Sequence, residues 1–508
     1  MCEKTSIRLL CLSLIISFMS MTISCGQSNE SNPVGESQTN ESSETDVVTD
    51  TTLVCDPELP SMDFEGRTFT FIGRGYESST GGWDNIDIRA TEMTGETLND
   101  AVYKRNTYMS DTYNVKIDII FGGDTGIDTT GSEMADLVQK SVMSQDGSFD
   151  AILTSPYDSV NYAQNGYLID LNSLEYLNLT QPWWDQNANS QLSFGDKIYF
   201  TTGELTYVDN KATQIMLFDK KLVENYEIDD PYETVRSGKW TLDVFFDNAK
   251  KVTNDLNGDS IMNEADQFGY ISWQDGCFGL LLGAGNRLGI INDEGIPEVT
   301  FYTEQMVNTW EKMIDFALSD AVFSAKNDLD LMTGSGLDNI IKYFLEAHTV
   351  LYTFGYINHA IQLRDSDTDF GILPLPKYDE AQENYVSAAH AYGTSLVSVP
   401  VSCSDPEFTG YVLEAFCAKS MEYVTPAFYE ITLKGKAAQD IDSAEMLDLI
   451  FSTKVYDIGY FFAWGNMNNQ IMSAWNSLDK NITSLYSSIE NAIERDINKA
   501  IELFGANE

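Results

Sequence analysis

Histidine is almost missing: the 508-residue chain has three, His348, His359 and His390. Their spacing matches no zinc motif and there is no HExxH signature, so chemistry built on a histidine base starts with few candidates. Basic residues are also scarce, 30 Lys+Arg against 78 Asp+Glu, for a formal net charge of −48. Nucleic-acid binding needs clustered cations that displace counterions, so that class of partner is excluded. Direct docking on anionic lipid is disfavoured for the same reason. The charge reads more plainly as solubility outside the cell. Neither a GxSxG nucleophile elbow nor a phosphate-binding P-loop is present. Cysteine is sparse and shows no CxxC spacing. Beyond Cys25, the four that follow the leader, Cys55, Cys277, Cys403 and Cys417, read as buried free thiols, with a Cys403–Cys417 disulfide as the alternative.

Only one stretch is long and apolar, and it lies at the N-terminus. Lys4 and Arg8 precede an apolar run over residues 9–21, followed by Thr22-Ile23-Ser24-Cys25-Gly26. A basic start, a short apolar core and a small residue before the cut make an export signal over residues 1–24. The run falls short of the roughly 20 residues a comfortable membrane span needs. The small residue before Cys25 resembles a bacterial lipobox, which makes Cys25 the expected lipidation site; Thr22 stands where Leu is usual. The alternative is an ordinary cleaved signal with an incidental cysteine. Residues 25–60 carry no Lys or Arg and almost no large apolar side chains. Such a segment cannot bury enough surface to order itself and reads as a flexible acidic tether.

From residue 64 the texture changes. Strand patterns occur at 68–72, 115–121, 150–153, 197–201, 215–218, 349–354, 370–373 and 396–399. Helical spacing separates them, at 98–109, 133–143, 241–252, 304–318 and 408–418. This alternation predicts an α/β fold with parallel sheets. Towards the C-terminus an apolar stripe recurs every three or four residues from Ile471 to Ile501, which predicts one or two packed helices rather than a coiled coil.

Several local patterns then line up. Phe149-Asp150-Ala151-Ile152 leads to Tyr162-Ala163-Gln164-Asn165-Gly166-Tyr167-Leu168-Ile169-Asp170-Leu171. Later come Thr349-Val350-Leu351-Tyr352-Thr353-Phe354-Gly355-Tyr356 and Phe370-Gly371-Ile372-Leu373-Pro374-Leu375-Pro376-Lys377. From about residue 64 to the C-terminus the set resembles the extracellular solute-binding proteins of ABC importers, family 1, the group that includes maltose-binding protein. The resemblance implies a two-lobed, periplasmic-binding-protein-like type II fold with an interlobe ligand cleft and C-terminal helices. It places lobe 1 at 64–208 with 393–450, and lobe 2 at 209–392 with 451–508. The crossings fall near 207–213 and 386–394. It implies a monomeric, non-enzymatic receptor, held at the outer face of the membrane by its lipid alone, which passes a carbohydrate to ABC permease subunits. By family position the stacking candidates are Trp273, Tyr356 and Trp464, since sugars lay flat C–H faces on aromatic rings. Arg74, Tyr157, Asp158 and Asn210 are the polar or rim candidates. Trp83 is a further lining candidate, and Trp183-Trp184 reads as a structural staple. Few basic residues among these positions, and many aromatics, favour a neutral oligosaccharide over a phosphorylated solute.

Independently, residues 255–266 fit a twelve-residue calcium loop. Asp255, Asn257, Asp259, Asn263 and Asp266 supply side-chain oxygens and Ile261 its carbonyl, while Ser260 stands where the loop usually has Gly. A structural calcium ion remote from the cleft is the expectation, and a solvated acidic turn the alternative. Two rival functions remain open. A secreted carbohydrate-active enzyme needs only paired carboxylates. An adhesion or calcium-dependent surface protein draws on the loop and the anchor alone.

Overall fold

The computed structural model describes residues 54–75, 82–122, 133–324, 345–363, 366, 368–434 and 441–504; the export signal, Cys25 and most of the tether lie outside them. The protein is a two-lobed α/β molecule. Strands β1 (Arg67–Gly73), β2 (Val115–Phe121) and β3 (Ala151–Thr154) open the first lobe. The second contains β4 (Gln214–Asp219), β5 (Phe268–Ser272), a hairpin of β6 (Gly289–Ile291) and β7 (Pro297–Val299), β8 (Val322–Ser324), β9 (Val350–Tyr356) and β10 (Phe370–Leu373). The chain returns through β11 (Ser387–Ala388) to β12 (Leu396–Ser398) in the first lobe, and later crosses again at β13 (Lys454–Val455). The sheet orders are β12-β3-β1-β2 and β10-β4-β9-β5-β8.

The sheets are mixed, not parallel throughout. β1 runs parallel to β2 and β3, and β5 to β8 and β9, whereas β12 is antiparallel to β3, and β4 to both β9 and β10. The crossings give the reason. β4 starts where the chain enters the second lobe, with Gln214 opposite Tyr356 at the end of β9. β12 likewise starts with Leu396 opposite Thr154 at the end of β3. A strand entered from the cleft must run away from it, while strands fed by crossover helices run towards it. The C-terminal ends of β1, β3, β5 and β9 therefore face the interlobe region, the side on which open α/β sheets bind ligands.

Among the described residues three extended segments lie side by side between the lobes, one more than the sequence reading gave. The helix Pro406–Lys434 also reaches from the first lobe into the cluster of Ile215 and Leu217 in the second. The His390 N–H donates to Ala212 O at 3.2 Å, and Thr213 bridges Ala389 antiparallel. On the other side β11 pairs parallel with β13, and the Ala389 N–H donates to Val455 O at 2.9 Å. Buried polar bonds cross-link this ribbon. Lys454 Nζ reaches Asp209 Oδ2 at 2.6 Å and Asn210 Oδ1 at 3.0 Å, and Tyr456 Oη bonds Asp185 at 3.1 Å. Burial pushes Asp209 up to about 6, with Lys454 opposing it.

The helix Ile441–Ser452 packs on β10, and Ser443 hydrogen-bonds Tyr232. It therefore belongs with the second sheet, although the sequence-based division ran the first lobe to residue 450. The helix expected at 408–418 extends over Pro406–Lys434 and through Pro426. Its continuing apolar positions, Val424, Ala427 and Phe428, are buried, and that packing overrides the proline. The strand expected at 197–201 is reduced to bridges at Lys197 and Thr201, because Gly195, at φ +57°, turns the chain there. The final helix, Ile482–Phe504, packs on the second lobe through Tyr486 and Tyr302. At its other end Phe504 meets Phe194 and Tyr199 of the first. Cys55, Cys277, Cys403 and Cys417 are free thiols. Among the described residues no helix is long and apolar enough to cross a membrane.

Candidate functional site

The strand ends that meet between the lobes bring an aromatic group together. Tyr356 ends β9, and its ring stacks on His390 of the second crossing at 4.6 Å and 27°. Trp83, from the loop after β1, meets Tyr356 edge-on at 5.5 Å. Gly393 allows this approach. A Cβ there would lie 3.0 Å from both Trp83 and His390 Nδ1, so a side chain would push the rings apart. The Gly393 N–H donates to His390 Nδ1 at 3.1 Å. That bond leaves the proton of neutral His390 on Nε2, which lies 3.4 Å from Asp275 Oδ2.

Asp275 lies just past β5, before the helix Gly276–Gly283. It is the electrostatic centre of the group. Burial first, and the Asp275 charge second, raise the Tyr356 and Tyr460 phenols well above the ordinary tyrosine value. Tyr157 is raised chiefly by burial, with Asp275 adding to it. All three phenols therefore keep their protons and remain donors. Tyr157 sits in the first turn of the helix Pro156–Gln164, which Ser155 caps by accepting from the Asp158 N–H. Its hydroxyl accepts from Asn468 Nδ2 at 2.9 Å. Asn468 also bonds Tyr460 O at 2.7 Å, which ties the C-terminal segment to the cleft floor.

The remaining sequence candidates are placed elsewhere. Arg74 is 1 % exposed, and its guanidinium donates to the carbonyls of Tyr392, Gly393 and Thr394 at 2.7, 2.6 and 3.2 Å. It clasps the second crossing rather than the cleft rim, and burial lowers it to about 10. Asp158 is buried under that arginine and accepts from Thr154 and Ser155 hydroxyls. Burial raises its carboxyl and Arg74 opposes the rise. Asn210 is committed to Lys454 in the crossing ribbon. Trp273 is half-buried against the cluster containing Ile215, Leu217 and Ile271. Trp464 is a core residue, 1 % exposed, tilted on Phe462 at 5.2 Å. Its aromatic-rich surroundings in the sequence look the same whether the ring packs inward or meets a ligand. Asp275, His390 and Gln214, the residue opposite Tyr356, were not singled out as site residues from the sequence. Their position at strand ends and crossings was the available signal.

The calcium-loop residues lie between the helix Leu242–Val252 and β5. Asp255 accepts the N–H groups of Gly258 and Ser260, each at 2.7 Å, and buried Asp266 those of Leu256 and Asn263 at 3.0 and 2.9 Å. Asn257 and Asp259 each accept from the residue two positions on, and Asn263 Nδ2 bonds Ile261 O. Ser260 takes the left-handed conformation, φ +64°, that the sixth position requires. The donors are hard oxygens, the type calcium takes, but backbone N–H groups already hold several of them. Among the described residues no three acidic, histidine or cysteine side chains converge as metal ligands.

No protein-family model and no curated protein matches the chain. Solved structures do. The ABC substrate-binding protein Lmo0181 from Listeria monocytogenes, in complex with cycloalternan, is 13% identical with a TM-score of 0.52, covering 86% of this chain and 99% of its own. A cyclo/maltodextrin-binding protein complexed with maltotetraose is 12% identical at 0.52, covering 87% and 97%. UgpB from Mycobacterium tuberculosis, in complex with glycerophosphocholine, is 14% identical at 0.53, covering 79% and 96%. With mixed sheets in two lobes, a crossing ribbon of three extended segments and strand ends gathered between them, the chain has the fold of the solute-binding proteins of ABC importers.

Proposed function

We propose that the protein is a lipid-anchored receptor which closes its lobes on a carbohydrate, a neutral oligosaccharide, and delivers it to an ABC permease. The observation that carries this reading is the Trp83–Tyr356–His390 group between the lobes, edged by Asp275. Aromatic faces suit the C–H faces of a sugar ring, and an acceptor beside them suits its hydroxyls. Two of the similar structures hold oligosaccharides, cycloalternan and maltotetraose; a third holds glycerophosphocholine. The Asp275 carboxylate at the edge of the group disfavours an anionic ligand. Closure by bending at the crossings traps the ligand. The anchor is Cys25, and the receptor needs no catalytic group. A calcium ion at residues 255–266 is part of the proposal. Backbone N–H groups already take part of the carboxylates' acceptor capacity, so the expected affinity is weak and the role structural.

Thermal unfolding of the purified protein against a panel of mono- and oligosaccharides, polyols and phosphorylated solutes, with calcium held fixed, tests the reading. A sugar at a hundred times its Kd adds about 2.7 kcal/mol to folding stability. The expected result is a shift with one sugar family and no hydrolysis product. Hydrolysis would instead favour a carbohydrate-active enzyme. A shift only with phosphorylated solutes would remove the carbohydrate assignment.

A further inference from the structure

One side chain on the floor of this site has no internal reason to be where it is. Gln214 opens β4 and is 0 % exposed. Among the described residues neither its amide nitrogen nor its amide oxygen has a hydrogen-bond partner. Buried polar groups are almost always paired, and an orphaned one is costly. A primary amide left with both ends unpaired among the described residues therefore calls for a further partner.

The register shows where that partner would sit. Gln214 lies directly opposite Tyr356 in the antiparallel β4–β9 pair, and opposed residues share one face of a sheet. The amide thus emerges on the face that carries Tyr356, the ring stacked on His390 and touched edge-on by Trp83. The helix Gly276–Gly283 covers the next positions of that face: a Cβ on Gly279 would lie 2.3 Å from Phe354, and Phe354 is opposite Met216. Asp275, immediately before that helix, holds its carboxylate against His390. Amide, aromatic rings and carboxylate therefore share the cleft side of the second lobe.

We propose that Gln214 is a specificity-determining ligand contact, whose amide takes two adjacent hydroxyls of an uncharged polyhydroxy ligand lying on Tyr356. The proposal rests on the receptor reading above and names the chemical feature the receptor reads. An amide offers an acceptor and two donors side by side, and a hydroxyl can both give and accept. A vicinal diol therefore satisfies both ends at once. A phosphate dianion only accepts, so it would leave the amide oxygen orphaned and would face the Asp275 charge. A site built to bond a hydroxyl rejects an analogue lacking it far more strongly than an apolar pocket does.

The test compares wild type with Gln214→Leu and the length-matched Gln214→Met, using the best sugar from the panel and its monodeoxy analogues. The expected result is at least a tenfold loss of affinity in both variants, with an unfolding midpoint at or above that of the wild type, since the free protein loses no internal bond. In wild type, two adjacent deoxy positions should each weaken binding more than tenfold, and in Gln214→Met those penalties should disappear. Wild-type binding that survives in both variants, alongside a lowered midpoint, would mean the amide serves the fold or a trapped water, and would overturn the proposal while leaving the receptor reading intact. If Gln214→Leu does not fold, the deoxy series on wild type still decides: equal tolerance at every position overturns it. Wild type that binds no polyhydroxy ligand removes the receptor reading and this proposal together.

Discussion

Two buried polar side chains, one at the back of the first lobe and one on the cleft floor, behave in opposite ways. Glu414, 1 % exposed on the helix Pro406–Lys434, is saturated. It accepts from Trp183 Nε1 at 3.1 Å, Trp184 Nε1 at 2.8 Å and the Asn178 N–H at 3.1 Å. Among the described residues the Gln214 amide has no partner. Both are equally hidden from water, so burial alone does not separate structure from function. Their bonding differs: Glu414 staples the tandem tryptophans to the lobe, as the sequence reading of Trp183-Trp184 expected, whereas both ends of the Gln214 amide are left for a partner.

The comparison can be broken at its satisfied end first. Glu414→Ala orphans two buried indole N–H donors, each worth about 1–3 kcal/mol, and the part-buried Asn178 N–H, so an overall loss of about 3–6 kcal/mol is expected in denaturant unfolding, with sugar affinity of the folded protein unchanged. A lost affinity at full stability would reverse the assignment of the two residues.

The next effect is a pH slope. Burial pushes the Glu414 carboxyl from its ordinary 4.5 up to about 7, with the indole and backbone N–H groups opposing the rise. The folded chain thus holds this proton more tightly than the unfolded chain does. The group's contribution is full below about pH 4.5 and is lost as the pH rises to about 7, by at most about 3 kcal/mol. Unfolding free energies of wild type and Glu414→Gln at pH 5 and pH 8 measure it. Wild type should lose ground relative to the variant as the pH rises, and a constant gap would show that the shift is absent.

The smallest effect sharpens the rule. Trp464 Nε1 is also buried and unpartnered, yet its ring lies in the core against Phe462. Trp464→Phe removes an N–H that has no bond and leaves a modest void, for a cost of about 1–2 kcal/mol. Sugar affinity should stay within twofold by calorimetry. A larger affinity loss would return Trp464 to the ligand.

Much of the scaffold was legible because its strands are bounded apolar or alternating runs. Residues 115–121 and 370–373 coincide with β2 and β10, and the α/β alternation implied strand ends on one side. Strand direction was not legible. It depends on whether a strand is fed by a crossover helix or by a crossing, and β4 and β9 look alike as sequences. The third crossing was missed because Lys454–Val455 is two residues long and carries no periodicity. Within the site, Tyr356 was singled out by the aromatic end of its strand, while Gln214 was invisible. A glutamine opening a strand is ordinary until the register sets it opposite Tyr356 and the partner count comes to zero. Arg74 is the converse case. A cation at a strand end suggests a ligand, and three backbone carbonyls take its Nη donors, while its Nε has no partner among the described residues.

The three crossing segments form a ribbon one strand-width thick, with Ala389 bonded to its neighbours on both sides. A ribbon of this kind flexes more readily out of its own plane than it shears within the plane, because shear would draw the cross-links out of register. The lobes are thereby left one soft coordinate, a swing about an axis lying across the strands. Under the proposed closure, opening would lead along that one arc, and an entering ligand would be met by the same two faces in the same order.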